Sequence, residues 1–452
     1  SGLSGAVQGQ TPRANIIGFP SIKYDGLSEE EYTVTQGAPF GNHIKNALED
    51  TLALCRELGF RTKNCDGYVG FAEYGEGKEM MAILTHLDVV PEGNDWTYPP
   101  FGGEVHEGKL FGRGAIDDKG PVIAAIYALK SVVDSGAVFH KRVRLIFGVD
   151  EEKTWKDMEY YVKHEEQPTF GFTPDARFPV VYCEKELLHC DFVKFFPKFG
   201  RPWTLTGGVA NNAVPDFCQL EWTDEHGNLQ RLTQKGVSAH GSRPEEGVNA
   251  VSLLMKRLKQ QMEAGQTLCT PELAECVCFY DACIGDRLDG ARLGIDVQDD
   301  ISGGTTLNMG KIRANEKECR LSVDIRMPLV ITKDTVLQNI QDRIGKYGFV
   351  IENVTSFPAV YCEKESAFLK TLIRIYQRFT NDMTEPILMG GGTYARAIKN
   401  IIAFGPRFPG REETEHQKNE YILLEDLMKS AEIYAAAIQE LATDATVNGA
   451  YE

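Results

Sequence analysis

The pair Glu151-Glu152 stands directly behind the apolar, strand-like run Val143–Val149, and it restricts the possible folds more than any other feature of the chain. Adjacent carboxylates repel, so a strand end that directs both side chains into one site needs a cation or a proton to stabilise them. In such a site one carboxylate can bind a metal ion while the other serves as a general base. A solvated acidic loop is the commoner origin of a Glu-Glu pair, so the rest of the chain has to decide between the two readings.

Two further signals stand upstream of this pair. His86 and Asp88 follow the apolar run Met80–Leu84, and residues two apart on a strand point to the same side. Asp88 could then accept the second imidazole N–H of His86 and fix the ring for metal binding. Asp117 lies in the turn 112–120, whose glycines permit close backbone approach, and a carboxylate there could bridge two cations. Taken singly, a surface pair and an ordinary acidic turn would explain both.

Two signals stand downstream. Asp175 follows Pro174, and His416 lies in a loop flanked by proline and glycine. Either would singly be read as a capping or surface residue. Together, the imidazoles and carboxylates of the chain are donor types that zinc binds readily. Their joint occurrence predicts a dinuclear metal hydrolase with the candidate ligands His86, Asp117, Glu152, Asp175 and His416.

The order of elements predicts an α/β fold that contains an insertion. Strand patterns at 80–85 and 143–149 alternate with helix patterns at 41–59, 120–134 and 155–165. Beyond about 186, alternating strands (187–196 and 319–326) mix with helix patterns (247–262 and 333–347) and a glycine-rich, loop-like segment (285–306). A strand at 401–404 and a helix from about 423 close the chain. We expect a catalytic domain of residues 1–186 and 363–452, with a mixed β-sheet flanked by helices, and an inserted α+β lid domain of residues 187–362.

Composition limits the class of protein further. The net charge is −17 and no Lys/Arg cluster stands out, which argues against nucleic acid or an anionic membrane as a partner. The longest apolar runs fall far short of the ~20 residues that a membrane helix needs. Eleven scattered cysteines without framework spacing favour free thiols in a reducing cytoplasm. Residues 1–6 show no basic region followed by an apolar core, so no intact signal peptide is predicted.

The ordered motifs resemble the zinc peptidase superfamily of aminoacylases, glutamate carboxypeptidases and carnosinases, and within it the PepV-type dipeptidases. The resemblance runs from Phe19 to the C-terminal helix. The motifs that carry it span 39–41, 66–68, 86–91, 112–121, 155–159, 171–176, 238–241, 324–328, 390–396 and 404–418. It implies a zinc-peptidase catalytic domain in which Asp117 bridges two zinc ions, with a cis peptide bond to Asp118. The ligands that complete the two metal sites would be His86 with Asp175 and Glu152 with His416.

The resemblance also implies roles for residues that do not bind metal. Asp88 would orient His86, and Glu151 would be the general base. From the insert, His240 would polarise the scissile carbonyl, and Arg326 would bind the C-terminal carboxylate of the substrate. The remaining candidate substrate-binding residues are Asn212, Gly391, Gly392 and Thr393.

The implied function is hydrolysis of dipeptides with a free N-terminus and a C-terminal carboxylate, by a water held between two zinc ions and activated by Glu151. Manganese or cobalt could replace zinc. The alternatives are a deacylase for N-acyl amino acids or diaminopimelate-type substrates, and an inactive relative that binds peptides. The long insert favours the dipeptidase and predicts a catalytically complete monomer. One departure from the family is Lys153-Thr154 after the glutamates, where a small residue and then glycine or serine is usual.

Overall fold

The computed structural model describes residues 37–197, 201–266, 268 and 270–444. The prediction on a signal peptide in residues 1–6 and the start of the resemblance at Phe19 therefore lie outside the described residues. The chain divides into two compact units. Unit 1 comprises Ser1–Cys183, Val360–Leu388 and Thr393–Glu452, and unit 2 comprises Glu184–Ala359 and Met389–Gly392. The assignment of residues 187–362 as a lid stays a prediction.

The α-helices within the described residues occur in both units. In chain order they are α1 (Asn42–Glu57), α2 (Lys119–Asp134), α3 (Lys156–His164), α4 (Ala250–Glu263), α5 (Pro271–Cys283), α6 (Lys333–Ile344), α7 (Ala367–Thr380) and α8 (Leu424–Thr443).

The strands are mostly short. In chain order they are β1 (Arg61–Cys65), β2 (Val69–Tyr74), β3 (Met80–His86), β4 (Glu104–His106), β5 (Lys109–Phe111), β6 (Arg142–Gly148), β7 (Phe170–Thr173), β8 (Ala176–Arg177), β9 (Val181–Glu184), β10 (Glu186–Phe195), β11 (Trp203–Gly207), β12 (Phe217–Thr223), β13 (Leu229–Lys235), β14 (Gln298–Asp299), β15 (Gly303–Gly304), β16 (Thr306–Asn315), β17 (Glu318–Met327), β18 (Val350–Phe357), β19 (Val360–Tyr361), β20 (Ile387–Met389), β21 (Ile401–Ala403), β22 (Pro406–Arg407) and β23 (Tyr421–Leu423).

A mixed sheet forms the centre of unit 1. Its strand order is β1-β2-β6-β3-β7-β21-β9-β19, with β20 beside β9. β3 pairs in parallel with β6 and β7, and β7 pairs in parallel with β21, whereas β2 runs antiparallel to β6. β3 and β7 are buried along their whole length, which explains their continuous apolar sequence. The predicted α/β class is confirmed, and the carboxyl ends of β3, β6 and β7 meet at one edge of the sheet.

Unit 2 is built around an antiparallel sheet with the order β13-β12-β11-β16-β17-β10-β18. Buried side chains of α4, α5 and α6 join those of the sheet in one apolar core. The helix α5 was not among the predicted helices. Its signals are present, because Thr270 caps the helix by accepting the N–H of Leu273 and Pro271 occupies the first turn. The close pair Cys276 and Cys278 lies on this helix.

The sequence also predicted free thiols and no apolar run long enough for a membrane helix. The ten cysteines within the described residues are free thiols. In the same part of the chain, no helix has both the length and the apolar content that crossing a membrane requires.

Candidate metal centre

The sheet of unit 1 positions four of the candidate residues directly. His86 is the last residue of β3 and lies opposite Gly148, the last residue of β6, in the parallel register. Glu151 and Glu152 lie three and four residues beyond the end of β6, and Asp175 lies two residues beyond the end of β7. Because parallel strands end at the same edge, these side chains come together although they are far apart in sequence.

The five predicted ligands form two groups that share Asp117. His86 Nε2 lies 3.0 Å from Asp117 Oδ1 and 3.7 Å from Asp175 Oδ1. His416 Nε2 lies 3.0 Å from Asp117 Oδ2 and 3.1 Å from Glu152 Oε1. Within each group, the ligand atoms all lie within 4.8 Å of one another. Asp117 thus presents a different oxygen to each group, as a carboxylate that bridges two cations would.

Glu151 lies beside these groups. One of its carboxylate oxygens lies within 4.8 Å of ligand atoms of both His86 and Glu152. Trp155 holds the backbone here, because its indole N–H donates to the carbonyl of Glu151 at 2.6 Å. Lys153, the departure from the family pattern, has an exposed side chain.

Asp88 contacts the glutamate pair as well as His86. Its two carboxylate oxygens accept the backbone N–H groups of Glu151 and Glu152 at 3.1 and 3.0 Å. His86 Nδ1 lies 3.0 Å from the backbone carbonyl of Asp88 and 3.6 Å from its Oδ1. The predicted role of Asp88 in orienting His86 stays a prediction, and the contacts connect Asp88 to the backbone of the glutamate pair as well.

The turn that carries Asp117 contains the cis peptide bond Asp117–Asp118 that the resemblance implied. Asp118 is buried, and its Oδ2 accepts the backbone N–H of His86 at 3.2 Å. The turn is also held by Glu420, a buried residue that the sequence analysis missed. Its position four residues after His416 was the available signal.

Asp157 and Tyr394 were also missed. Asp157 Oδ2 accepts the backbone N–H groups of Val149 and Asp150 at 2.7 and 2.8 Å, and it accepts the hydroxyl of Tyr394. The Tyr394 ring packs edge-on against His86, with ring centroids 6.0 Å apart. Asp157 and Tyr394 therefore support the turn between β6 and α3 from the buried interior. At buried positions, sequence patterns predict only that a residue belongs to the core.

The electrostatics of the site reflect its crowded carboxylates. Burial, with the charges of Asp175 and Glu152, raises the pKa of Glu151 well above its usual value. Burial also raises the pKa of Asp117, but hydrogen bonds from His416 and His86 outweigh it and bring this pKa below its usual value. Partial desolvation opposes the charged form of His416, yet its hydrogen bonds to Asp117 and Glu152 raise its pKa to about 11. Without metal, protonated imidazoles therefore compensate the acids.

Divalent metal ions fit this set of residues. Four carboxylates and two imidazoles converge, and their oxygen and nitrogen atoms are donors that zinc, manganese and cobalt accept. The negative charge that accumulates there is the charge that two divalent cations would compensate. The residues that would hold them are His86, Asp117, Glu152, Asp175 and His416.

Unit 2 contains most of the predicted substrate-binding residues. Asn212 and His240 are neighbours there, because Ala213 and His240 form an antiparallel bridge and the carbonyl of Asn212 accepts the N–H of Gly241 at 2.6 Å. His240 is exposed, and its Nδ1 lies 2.6 Å from Ser242 Oγ.

Arg326 is buried in unit 2 and firmly held. Its Nε and Nη2 donate to the two oxygens of Asp324, each at 2.6 Å, and its Nη1 donates to the carbonyl of Gly390 at 2.7 Å. Gly391 and Gly392 follow in the same unit, whereas Thr393 belongs to unit 1 and caps the short helix Tyr394–Ala397.

A mixed sheet whose parallel strand ends gather two ligand groups around one shared aspartate defines a metal-dependent hydrolase. The family model described as "Peptidase family M20/M25/M40" matches residues 82–440, and the chain belongs to this family. The protein is accordingly an enzyme that hydrolyses peptides in a metal-dependent reaction, and the kinship predicted from the motifs is confirmed.

Similar proteins agree with this assignment. "Putative dipeptidase YtjP" of Bacillus subtilis is 36% identical over 451 residues, which cover 91% of this chain and 94% of that protein. "Putative dipeptidase MW1694" of Staphylococcus aureus is 33% identical, with 95% and 96% covered. Among solved structures, the aminoacylhistidine dipeptidase of Vibrio alginolyticus is similar in fold, with a TM-score of 0.60, 12% identity and 95% and 96% of the two chains covered. Human carnosine dipeptidase 1 has a TM-score of 0.57, 13% identity and 97% and 96% covered.

Proposed function

We propose that this enzyme hydrolyses dipeptides that have a free N-terminus and a free C-terminal carboxylate, with two zinc ions bound by the ligand groups of unit 1. The observation that carries the proposal is the sharing of Asp117 between the His86–Asp175 pair and the Glu152–His416 pair, each imidazole 3.0 Å from its own oxygen of Asp117. Relatives named as dipeptidases that match nearly the whole chain support the choice of substrate class.

Zinc ions at these positions would polarise the scissile carbonyl and lower the pKa of a bound water to about 7. Glu151 is the general base: its carboxylate takes a proton from the attacking water and returns it to the leaving amine. In the metal-free site, burial raises the pKa of Glu151 and so favours its protonated form. Asp88, through its bonds to the N–H groups of Glu151 and Glu152, keeps the base in place.

The residues of unit 2 supply recognition. Arg326 binds the C-terminal carboxylate of the dipeptide. Asp324 and the carbonyl of Gly390 accept three of the five N–H donors that a guanidinium carries. His240 stabilises the developing oxyanion, and Asn212, its neighbour, adds a polar contact to the substrate. Gly391, Gly392 and Thr393 complete the substrate-binding set.

The assembly and location of the enzyme are part of the same proposal. The long insert supplies His240 and Arg326 from the chain that carries the metal ligands, so a monomer is catalytically complete. The free thiols within the described residues fit a reducing cytoplasm. Manganese or cobalt could take the place of zinc, because both accept the same donors.

A substrate panel combined with metal analysis tests the proposal. The purified enzyme should contain two metal ions per chain and should hydrolyse free dipeptides faster than N-acyl amino acids. A Glu151→Gln variant should retain the metal and lose about 10²–10⁴-fold in turnover, because an amide cannot accept the proton.

The matched control is Glu159→Gln, the same exchange at an exposed position of α3, which should leave turnover unchanged. Faster hydrolysis of N-acyl amino acids would favour a deacylase. A metal-free protein that binds peptides without cleaving them would favour an inactive relative. A fully active Glu151→Gln variant would place the base elsewhere.

A further inference from the structure

Glu420 occupies the point where two loops that carry candidate ligands diverge. β23 pairs with β5, and Tyr421 lies opposite Phe111 in the antiparallel register. Just beyond this pair, one chain enters the turn that leads to Asp117 and the other comes from the loop that carries His416. The backbone carbonyl of Glu420 accepts the N–H of Gly112 at 3.0 Å and continues the pairing by one bond.

The side chain of Glu420 turns into the Asp117 turn and satisfies its backbone. Oε1 accepts the N–H groups of Ile116 and Asp117 at 3.0 and 3.2 Å. Oε2 accepts the N–H of Gly114 at 3.1 Å and Nη1 of Arg113 at 2.7 Å. Glu420 has no exposed surface, and Arg113 is only 2% exposed. Each carboxylate oxygen of Glu420 therefore accepts from two donors in a buried site.

The loop that carries His416 is also held from its other side. Arg407, in β22, contacts Glu415 at 2.7 Å and Glu413 at 2.8 Å. His416 itself is exposed on 54% of its side-chain surface and has a positive φ of 61°. Because its own side chain is only partly packed, the position of His416 depends on how the two ends of its loop are fixed.

We propose that Glu420 is a positioning residue that fixes the Asp117 turn against the His416 loop. In this way it sets the spacing within the ligand group of Asp117, Glu152 and His416. This inference rests on the proposed function, because it assigns Asp117 and His416 as metal ligands. Glu420 touches neither metal nor substrate in this role. It acts through the backbone of residues 114–117, which its carboxylate organises.

Glu420→Gln is the sharpest test, because the amide preserves size while changing hydrogen bonding. Either orientation of the amide places an NH₂ group against two N–H donors, so two of the four bonds fail. Loss of such an outer partner lowers metal affinity about 10- to 100-fold. We expect Zn²⁺ titration against a chromophoric chelator to show this loss, and hydrogen exchange of the metal-free protein to show faster exchange in residues 112–118.

The matched control is Glu73→Gln. Glu73 is another buried carboxylate of unit 1, and its Oε2 lies 2.7 Å from Nη2 of Arg144. This variant should lose stability while its Zn²⁺ affinity and the exchange of residues 112–118 stay as in the wild type. If Glu420→Gln does not fold, Arg113→Lys carries the test, since it keeps the charge but removes the planar fork, and it should shift both readouts in the same direction by less.

Unchanged Zn²⁺ affinity and unchanged exchange in a folded Glu420→Gln or Arg113→Lys variant would overturn the inference. Equal losses of Zn²⁺ affinity in Glu420→Gln and Glu73→Gln would also overturn the inference, because they would indicate general destabilisation. In both cases the wild type still binds Zn²⁺ and the proposed function stands. A wild type that binds no Zn²⁺, manganese or cobalt would instead refute the metal site on which both rest.

Discussion

Asp88→Asn separates two ways in which this aspartate could serve the reaction. If Asp88 acts only by orienting His86, its loss weakens metal binding, and added metal restores turnover. If it acts through the backbone N–H groups of Glu151 and Glu152, the base is misplaced even when metal is bound. The distances favour the second route, since the N–H bonds are 3.0–3.1 Å long whereas Oδ1 lies 3.6 Å from His86 Nδ1.

The magnitude follows from these contacts. Asparagine keeps one acceptor oxygen and places an NH₂ group against the other backbone N–H, which leaves a buried donor unsatisfied at about 1–3 kcal/mol. The remaining bond changes from charge-assisted to neutral, which costs about 1 kcal/mol more. The total of about 2–4 kcal/mol, if it falls on the transition state, lowers kcat about 30- to 900-fold at ~1.36 kcal/mol per decade.

The assay is kcat and KM for a free dipeptide over a range of added Zn²⁺, with bound metal measured in parallel. We expect kcat of Asp88→Asn to stay low at full metal occupancy while KM changes little. Asp134→Asn, the same exchange at an exposed position near the end of α2, is the matched control and should behave as wild type. Recovery of the wild-type kcat of Asp88→Asn at saturating Zn²⁺ would refute the reasoning and leave orientation of His86 as its role.

Three further predictions concern unit 2. Arg326→Ala should slow hydrolysis of free dipeptides far more than that of their C-terminal amides, and equal rates on both substrates in the wild type would remove this role. Mixing inactive Glu151→Gln with inactive His240→Ala should restore no activity, whereas restored activity would show that subunits share the histidine. Burial raises the pKa of Asp324, but His189 and Arg326 outweigh it and lower that pKa. A lowered folded-state pKa contributes stability that is present above the unfolded value and lost as pH falls through the folded one. By denaturant unfolding, the free energy of unfolding of the wild type should exceed that of Asp324→Asn by ~3–5 kcal/mol. This difference should be constant above about pH 5 and should shrink below about pH 4. A difference that stays constant at all pH values would contradict the prediction.

Local sequence patterns were enough to predict the class of fold and to name the candidate metal ligands. Apolar runs before His86 and before Glu151 predicted strands, and the structure has β3 and β6 there. The metal ligands could be predicted because imidazole and carboxylate side chains occur together at the ends of strand-like runs. Their order along the chain also matched a known family. The helix α5 was readable in principle from Thr270 and Pro271, but its apolar sequence did not stand out from the surrounding insert.

How these residues meet, and which contacts hold them, can be seen only in the folded chain. Asp117 and His416 are separated by almost three hundred positions, and no local pattern states that one oxygen of Asp117 faces each imidazole. The contacts of Asp88 with the glutamate pair and of Glu420 with the Asp117 turn are side chain to backbone. Such bonds depend on where two distant segments pass each other, and local sequence patterns describe one segment at a time, so these supports become visible only when the chain is folded.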